Sequence, residues 1–181
     1  MPSRAVTYAR SRRKQQKRGG RVRYILIDRI TELEPGRRMR GLKNVTMSDS
    51  LMMSYGPNLT ALPATMVLEA MAQGVGLLLV ASTEFSAQPV LAKVESFFAF
   101  AQPRPGDQII VSAELENLRT EGCRAHVRAE VENSLVAEAT VYLALVPLSN
   151  ERRSEDLRAR ILNLFPECLT VRADETAEVM S

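Results

Sequence analysis

The sequence is poor in the residues from which most catalytic centres are built. It holds one histidine and two cysteines among 181 residues. With His126 alone, a Ser-His-acid grouping for nucleophilic catalysis is unsupported. Cys123 and Cys168 stand in no metal-ligand or redox spacing, so no metal site and no cofactor are expected. The start of the chain lacks the apolar run of a secretory signal. Two free thiols in a cytoplasmic protein is therefore the expectation. One sign of charge is missing from residues 1–23, which carry nine Arg and Lys and no acid. The other 15 basic residues face 21 acids, a net −6, so the formal +3 belongs to the leader. Such a segment cannot pack and is expected to be disordered over residues 1–22. Its arginine-rich run has no aromatic side chains for base stacking, so nucleic acid is not the expected partner.

The chain as a whole, 45% apolar and 25% charged, has the composition of one soluble globular domain. Tyr24 to Leu33 is β-branched and apolar-rich and ends at Glu34-Pro35-Gly36, a turn signal; residues 38–46 make a returning strand. Residues 47–62 have no period and form a long loop, of the kind that tends to carry function.

From Pro63, suited to a helix's first turn, to about Ser82 the chain is apolar nearly all round, which marks a helix buried in a core or a membrane. Glu69 and Gln73 fall within it. A central acid costs about 2.5–3.5 kcal/mol on membrane insertion, so a soluble core helix is expected and no membrane span. Beyond it the period becomes two. After a strand at 89–100 and a turn at 103–107, Ile109, Val111, Ala113 and Leu115 alternate with polar residues. Cys123, Ala125, Val127, Ala129 and Val131 do the same, as do Ala137, Ala139, Val141, Leu143 and Leu145. These half-buried strands form an antiparallel meander whose apolar face the long helix must cover, an α+β arrangement. Residues 150–164 read as an amphipathic helix with Leu157, Ile161 and Leu164 on one stripe, stopped by Pro166.

Glu69 and Gln73, four residues apart, share one helical face. Burial would raise the carboxyl's pKa and suit it to acid or base work near neutrality, or the residue is structural. His126, between Arg124 and Arg128 on the charged face of its strand, reads as a surface residue.

Several segments in uninterrupted order carry a likeness: Tyr24-Ile-Leu-Ile-Asp-Arg-Ile, Glu34-Pro-Gly, Leu42-Lys-Asn-Val-Thr, Met66-Val-Leu-Glu-Ala-Met-Ala-Gln, Pro105-Gly-Asp-Gln and Leu135-Val-Ala-Glu-Ala-Thr-Val. Over residues 22–147 the chain resembles the 3-hydroxyacyl-acyl-carrier-protein dehydratases of the FabZ and FabA type. The resemblance implies a hot-dog fold over 23–148, a long helix wrapped by an antiparallel sheet, with a short helix and tail at 149–181. It implies pairing into a homodimer, or a heterodimer with a related hot-dog subunit, with acyl tunnels at the interface. The implied ligand is the thioester of an acyl carrier protein or of coenzyme A, in fatty-acid or related lipid synthesis.

Carried over by motif, Glu69 matches the catalytic glutamate that assists loss of the 3-hydroxyl, and Gln73 the glutamine lining the same site. Pro57 and Pro63 match prolines of the loop and helix start, and amides near Ala64 and Thr65 could polarise a carbonyl. The family's base is a histidine in a Gly-His-Phe-Pro-Gly loop; here Tyr55 stands in its place. A phenol with pKa near 10 is ionised only to about 0.1% at pH 7, and a positioned base contributes about 10²–10⁴-fold. Binding should therefore outlast turnover, and any activity should be that of a hydro-lyase. Two other roles stay open: a non-catalytic partner subunit of an active dehydratase, and an acyl thioesterase using Glu69. A basic rim for the acidic carrier is expected from Arg37, Arg38, Arg40, Lys43 and Arg104.

Overall fold

The computed structural model describes residues 25–48, 61–166 and 168. In chain order the elements are β1 (Arg29–Glu34), β2 (Arg38–Asn44), α1 (Ala64–Ser82), β3 (Ala87–Ala99), β4 (Gln108–Arg119), β5 (Gly122–Val131), β6 (Ser134–Pro147) and α2 (Glu151–Leu164). The strands form one antiparallel sheet in the order β1-β2-β4-β5-β6-β3. This is the helix-on-sheet arrangement expected from the alternating pattern. β1 is shorter than the apolar run that encodes it, because the amide of Leu26 leaves the ladder for the side chain of Gln73.

The inner face of the sheet follows the period of two. Ile109, Val111, Ala113, Ala125, Val127, Ala129 and Val141 are all 0% exposed. Against them lies one face of α1, whose Ala70, Met71, Val75, Leu78 and Leu79 are equally closed to solvent. This face is why α1, apolar and long enough to cross a membrane, is a core helix here. Gly74 allows the closest approach: a Cβ there would stand 3.1 Å from Val111 Cγ1 and 3.4 Å from Met39 Sδ.

α2 begins at Asn150, whose side chain accepts from the Arg153 amide at 3.0 Å. Ser154 Oγ donates to the Phe85 carbonyl at 2.8 Å, and Arg158 lies over the Phe85 ring. These contacts fasten the first turns of α2 just beyond the C-terminus of α1.

Candidate functional site

The second face of α1 points away from the sheet. Glu69, Ala72, Gln73, Gly76, Leu77 and Val80 follow the i, i+3, i+4, i+7 pattern and line one wall of a groove of about 480 Å³. At its head Gln73 Nε2 donates to Glu69 Oε1 at 2.9 Å. Gln73 Oε1 in turn accepts from the Leu26 amide at 2.8 Å. A backbone N–H can only donate, so it fixes which end of the Gln73 amide faces Glu69. The main chain thereby orients the carboxylate through one intermediary.

Burial of Glu69, expected from its apolar surroundings in sequence, is not what the single chain provides. Its side chain is exposed, because it stands on the face of α1 that the sheet does not cover. Helical sequence neighbours are spread around the axis, so an apolar run does not bury every residue within it. Excluding water from Glu69 requires a second surface.

The opposite wall comes from α2. Leu157, Arg160, Ile161 and Leu164 line the groove together with Phe165. Sequence reasoning found the three aliphatic residues but missed Arg160. The signal was there: positions 157, 160, 161 and 164 are one helical stripe, and a cation inside it must share its outlook. Gly76 and the Leu26 amide were missed as well, the latter because a main-chain donor leaves no trace in composition.

At the start of α1, Pro63 is the buried residue that precedes the helix, and Ala64 opens it. Met66 N and Val67 N donate to the Pro63 carbonyl, whereas the amides of Ala64 and Thr65 meet no acceptor among the described residues. Glu69 follows them by about 8 Å along the axis. Tyr55 and Pro57 lie outside the described residues.

The expected basic rim divides. Gly36 N donates to Ser82 Oγ at 2.7 Å, which places the turn carrying Arg37 at the C-terminal end of α1. Leu62 N donates to the Pro103 carbonyl at 2.7 Å, which places Arg104 at the N-terminal end, near Glu69. The 19 residues of α1 separate the two by about 28 Å. Arg37 and Arg38 both pair with Glu34, and Arg40 stands 4.0 Å from Glu32. Lys43 cannot belong to a rim, because strand alternation turns it inward with Met39 and Gly41 and it is 3% exposed. Its Nζ donates to the Asn44 carbonyl at 3.0 Å. Among the described residues no acid pairs with Arg104, so it alone of the five is an exposed, unpaired cation at the Glu69 end.

His126 is half-buried on the outer face, in register with Glu114 and Thr140 and away from the groove. A second hollow of about 420 Å³, on that side near Gly122 and Tyr142, contains Arg124, whose charge is met by Glu95 and Glu116. Cys123 and Cys168 are free thiols, and burial pushes the Cys123 thiol up despite a hydrogen bond with the Leu143 backbone. Among the described residues no three His, Cys, Asp or Glu are grouped to hold a metal ion.

Among the described residues β3 is an edge strand, paired with β6 alone. Val90, Leu91, Val94 and Phe98 along it are 46%, 41%, 37% and 55% exposed. Its beginning, at Gln88, Pro89 and Leu91, also borders the groove. The carboxylate head, the groove and an unpaired apolar edge are thus contiguous.

Residues 21–140 match the FabA-like domain family. The FabZ 3-hydroxyacyl-[acyl-carrier-protein] dehydratase of Thiobacillus denitrificans is 33% identical over 130 residues, spanning 69% of this chain and 89% of that protein. The FabZ dehydratase of Clostridioides difficile is 32% identical over 127 residues, spanning 70% and 89%. Among solved structures, the fold resembles the dehydratase heterocomplex ApeI:P of Xenorhabdus doucetiae (TM-score 0.57, 12% identity, 74% of this chain and 89% of that one). It likewise resembles a hot-dog-like protein of Thermanaerovibrio acidaminovorans (TM-score 0.54, 17% identity, 72% and 92%). A Streptococcus mutans protein solved with acetyl CoA is similar too (TM-score 0.57, 14% identity, 72% and 98%). A long helix inside an antiparallel sheet, an ordered Glu69–Gln73 pair and these likenesses lead to one conclusion: the chain is a hot-dog protein and belongs to the FabA-like family, with FabZ dehydratases as relatives.

Proposed function

We propose that this protein binds acyl thioesters, with the reacting end at Glu69 and Gln73 and the acyl chain along the groove beside α1. The observation that carries this reading is the hydrogen-bonded pair at the head of a largely apolar groove. In the dehydration that the family performs, a base removes the proton α to the thioester carbonyl and an acid protonates the departing 3-hydroxyl, which leaves as water. Glu69 supplies the acid, Gln73 holds it in place, and the amides of Ala64 and Thr65 polarise the carbonyl. In the sequence Tyr55 replaces the histidine of the family's loop, and a phenol is a weak base near neutrality, so turnover is slow while the groove remains to bind.

The exposed β3 edge supports a second reading, in which this chain is the partner subunit of an active dehydratase. A hot-dog subunit docked along β3 would cover the groove border and could bring the histidine that this chain lacks. The thioester substrate is carried by an acyl carrier protein or coenzyme A, and Arg104 is the cation best placed for an acidic carrier.

The test is incubation of the purified protein with crotonyl-coenzyme A. Slow hydration, raised about 10²-fold by Tyr55→His, is expected under the first reading. Thioester binding without hydration by either form, and activity only on mixing with a histidine-bearing homologue, would establish the partner role. Release of free coenzyme A at a rate that depends on Glu69 would replace both readings with thioester hydrolysis.

A further inference from the structure

The groove has two helical walls, and only one lies in the part of the chain matched to the family. α1 falls within residues 21–140, whereas α2 starts at Glu151. Yet the apolar stripe of α2 is not fully buried: Leu157, Ile161 and Leu164 all line the groove, Leu157 and Ile161 half-buried and Leu164 46% exposed. An aliphatic side chain left open beside other aliphatic side chains is unfavourable unless something apolar fills the gap.

Gly76 is an independent sign of an occupant. A glycine in mid-helix is costly relative to alanine, and Gly74 has a reason in its contact with the sheet. Gly76 has none among the described residues, where a Cβ would meet only Pro89 Cγ, at an ordinary 3.7 Å. Its missing side chain leaves room on the groove side, not on the core side. From Glu69 to Val80 the wall runs about 16 Å, which suits a chain of medium length lying parallel to α1.

Resting on the thioester reading above, we propose that α2 gauges the acyl chain: Leu157, three residues past the Ser154 contact that fastens α2 beyond the C-terminus of α1, closes the far part of the groove and sets the longest chain admitted. The occupant is the acyl tail itself. Its class is fixed by walls whose side chains, Gln88 and the exposed Arg160 apart, are apolar, and by the Glu69–Gln73 pair at one end.

The experiment is calorimetric titration of the full-length protein with acyl-coenzyme A from butyryl to palmitoyl. For the wild type, affinity should rise roughly tenfold for each two methylenes until a cutoff length. Leu157→Ala should move the cutoff to longer chains. Leu157→Phe should move it to shorter ones, so the inference is tested in both directions even if one variant folds poorly. A cutoff that neither variant moves would overturn the gauge and leave the thioester reading standing. An affinity that climbs to palmitoyl with no cutoff would overturn it as well. If no acyl-coenzyme A binds the wild type, the thioester reading fails and the gauge with it. Self-association of the wild type that Leu157→Ala abolishes, with an unchanged length profile, would put a second chain in the groove instead of a tail.

Discussion

Gln73 stands between the Leu26 amide and the Glu69 carboxylate, 2.8 Å from one and 2.9 Å from the other. A strand-side backbone group thus sets the direction of an acid on the central helix, across 47 residues of sequence. Gln73→Leu is apolar and one atom shorter, and it breaks both bonds. It is expected to lower kcat on a 3-hydroxyacyl thioester by about tenfold or more, with KM changed much less. Glu69→Gln keeps a partner for Gln73 and removes the proton donor, so binding should persist while turnover is lost. Equal kcat in the wild type and the Gln73→Leu variant would remove Gln73 from the site.

The two ends of α1 should differ in carrier binding. Arg104→Glu is expected to weaken association with acyl carrier protein by about tenfold at low salt. Arg37→Glu, 28 Å or so along the helix and already paired with Glu34, should change it by less than about twofold. Surface plasmon resonance at two salt concentrations measures both. The reverse order of effects would move the carrier to the other end of the molecule.

The two helix glycines give opposite stability outcomes. Gly76→Ala should stabilise by about 0.5–1 kcal/mol, since helix propensity improves and Pro89 is not crowded. Gly74→Ala gains the same propensity but presses on Val111, itself 0% exposed, and is expected to be the less stable of the pair. Thermal melts of the two variants decide this; a Gly74→Ala variant that melts higher would mean that the contact with the sheet relaxes freely.

Cys123 supplies a pH dependence. Burial raises its thiol, so the folded state holds that proton more tightly than the unfolded chain does. Its contribution to stability is full below the ordinary thiol range and is lost as pH climbs through the raised value. Cys123→Ala should flatten the alkaline decline of the melting temperature relative to the wild type. In the native protein at mildly alkaline pH, Cys123 should also react with iodoacetamide far more slowly than half-buried Cys168.

Much of the fold could be read directly. Alternation in residues 109–115, 123–131 and 137–145 marked the inner face of β4, β5 and β6, and only Leu115 and Val131 at the strand ends are partly open. The edges of elements were harder, since β1 loses its first residues to a side-chain acceptor on another element. At the site, shared helical phase gave the Glu69–Gln73 pairing, but exposure did not follow, because it depends on which face the sheet takes. Lys43 illustrates the same limit: four basic residues close in sequence looked like one patch, and strand parity sent one of them into the core. Arg160 was legible and overlooked, hidden by attention to the apolar members of its stripe.

The bare edge of β3 also bears on how the protein must be made. Thirteen residues of unpaired ladder with aliphatic and aromatic groups alongside form a template onto which any extended chain can add. A newly synthesised copy is therefore at risk of clumping until that border is taken up, and its soluble yield should track the supply of whatever takes it up. Producing the chain together with candidate hot-dog subunits, and measuring which of them raises its soluble yield, tests the partner reading before any enzyme assay is run.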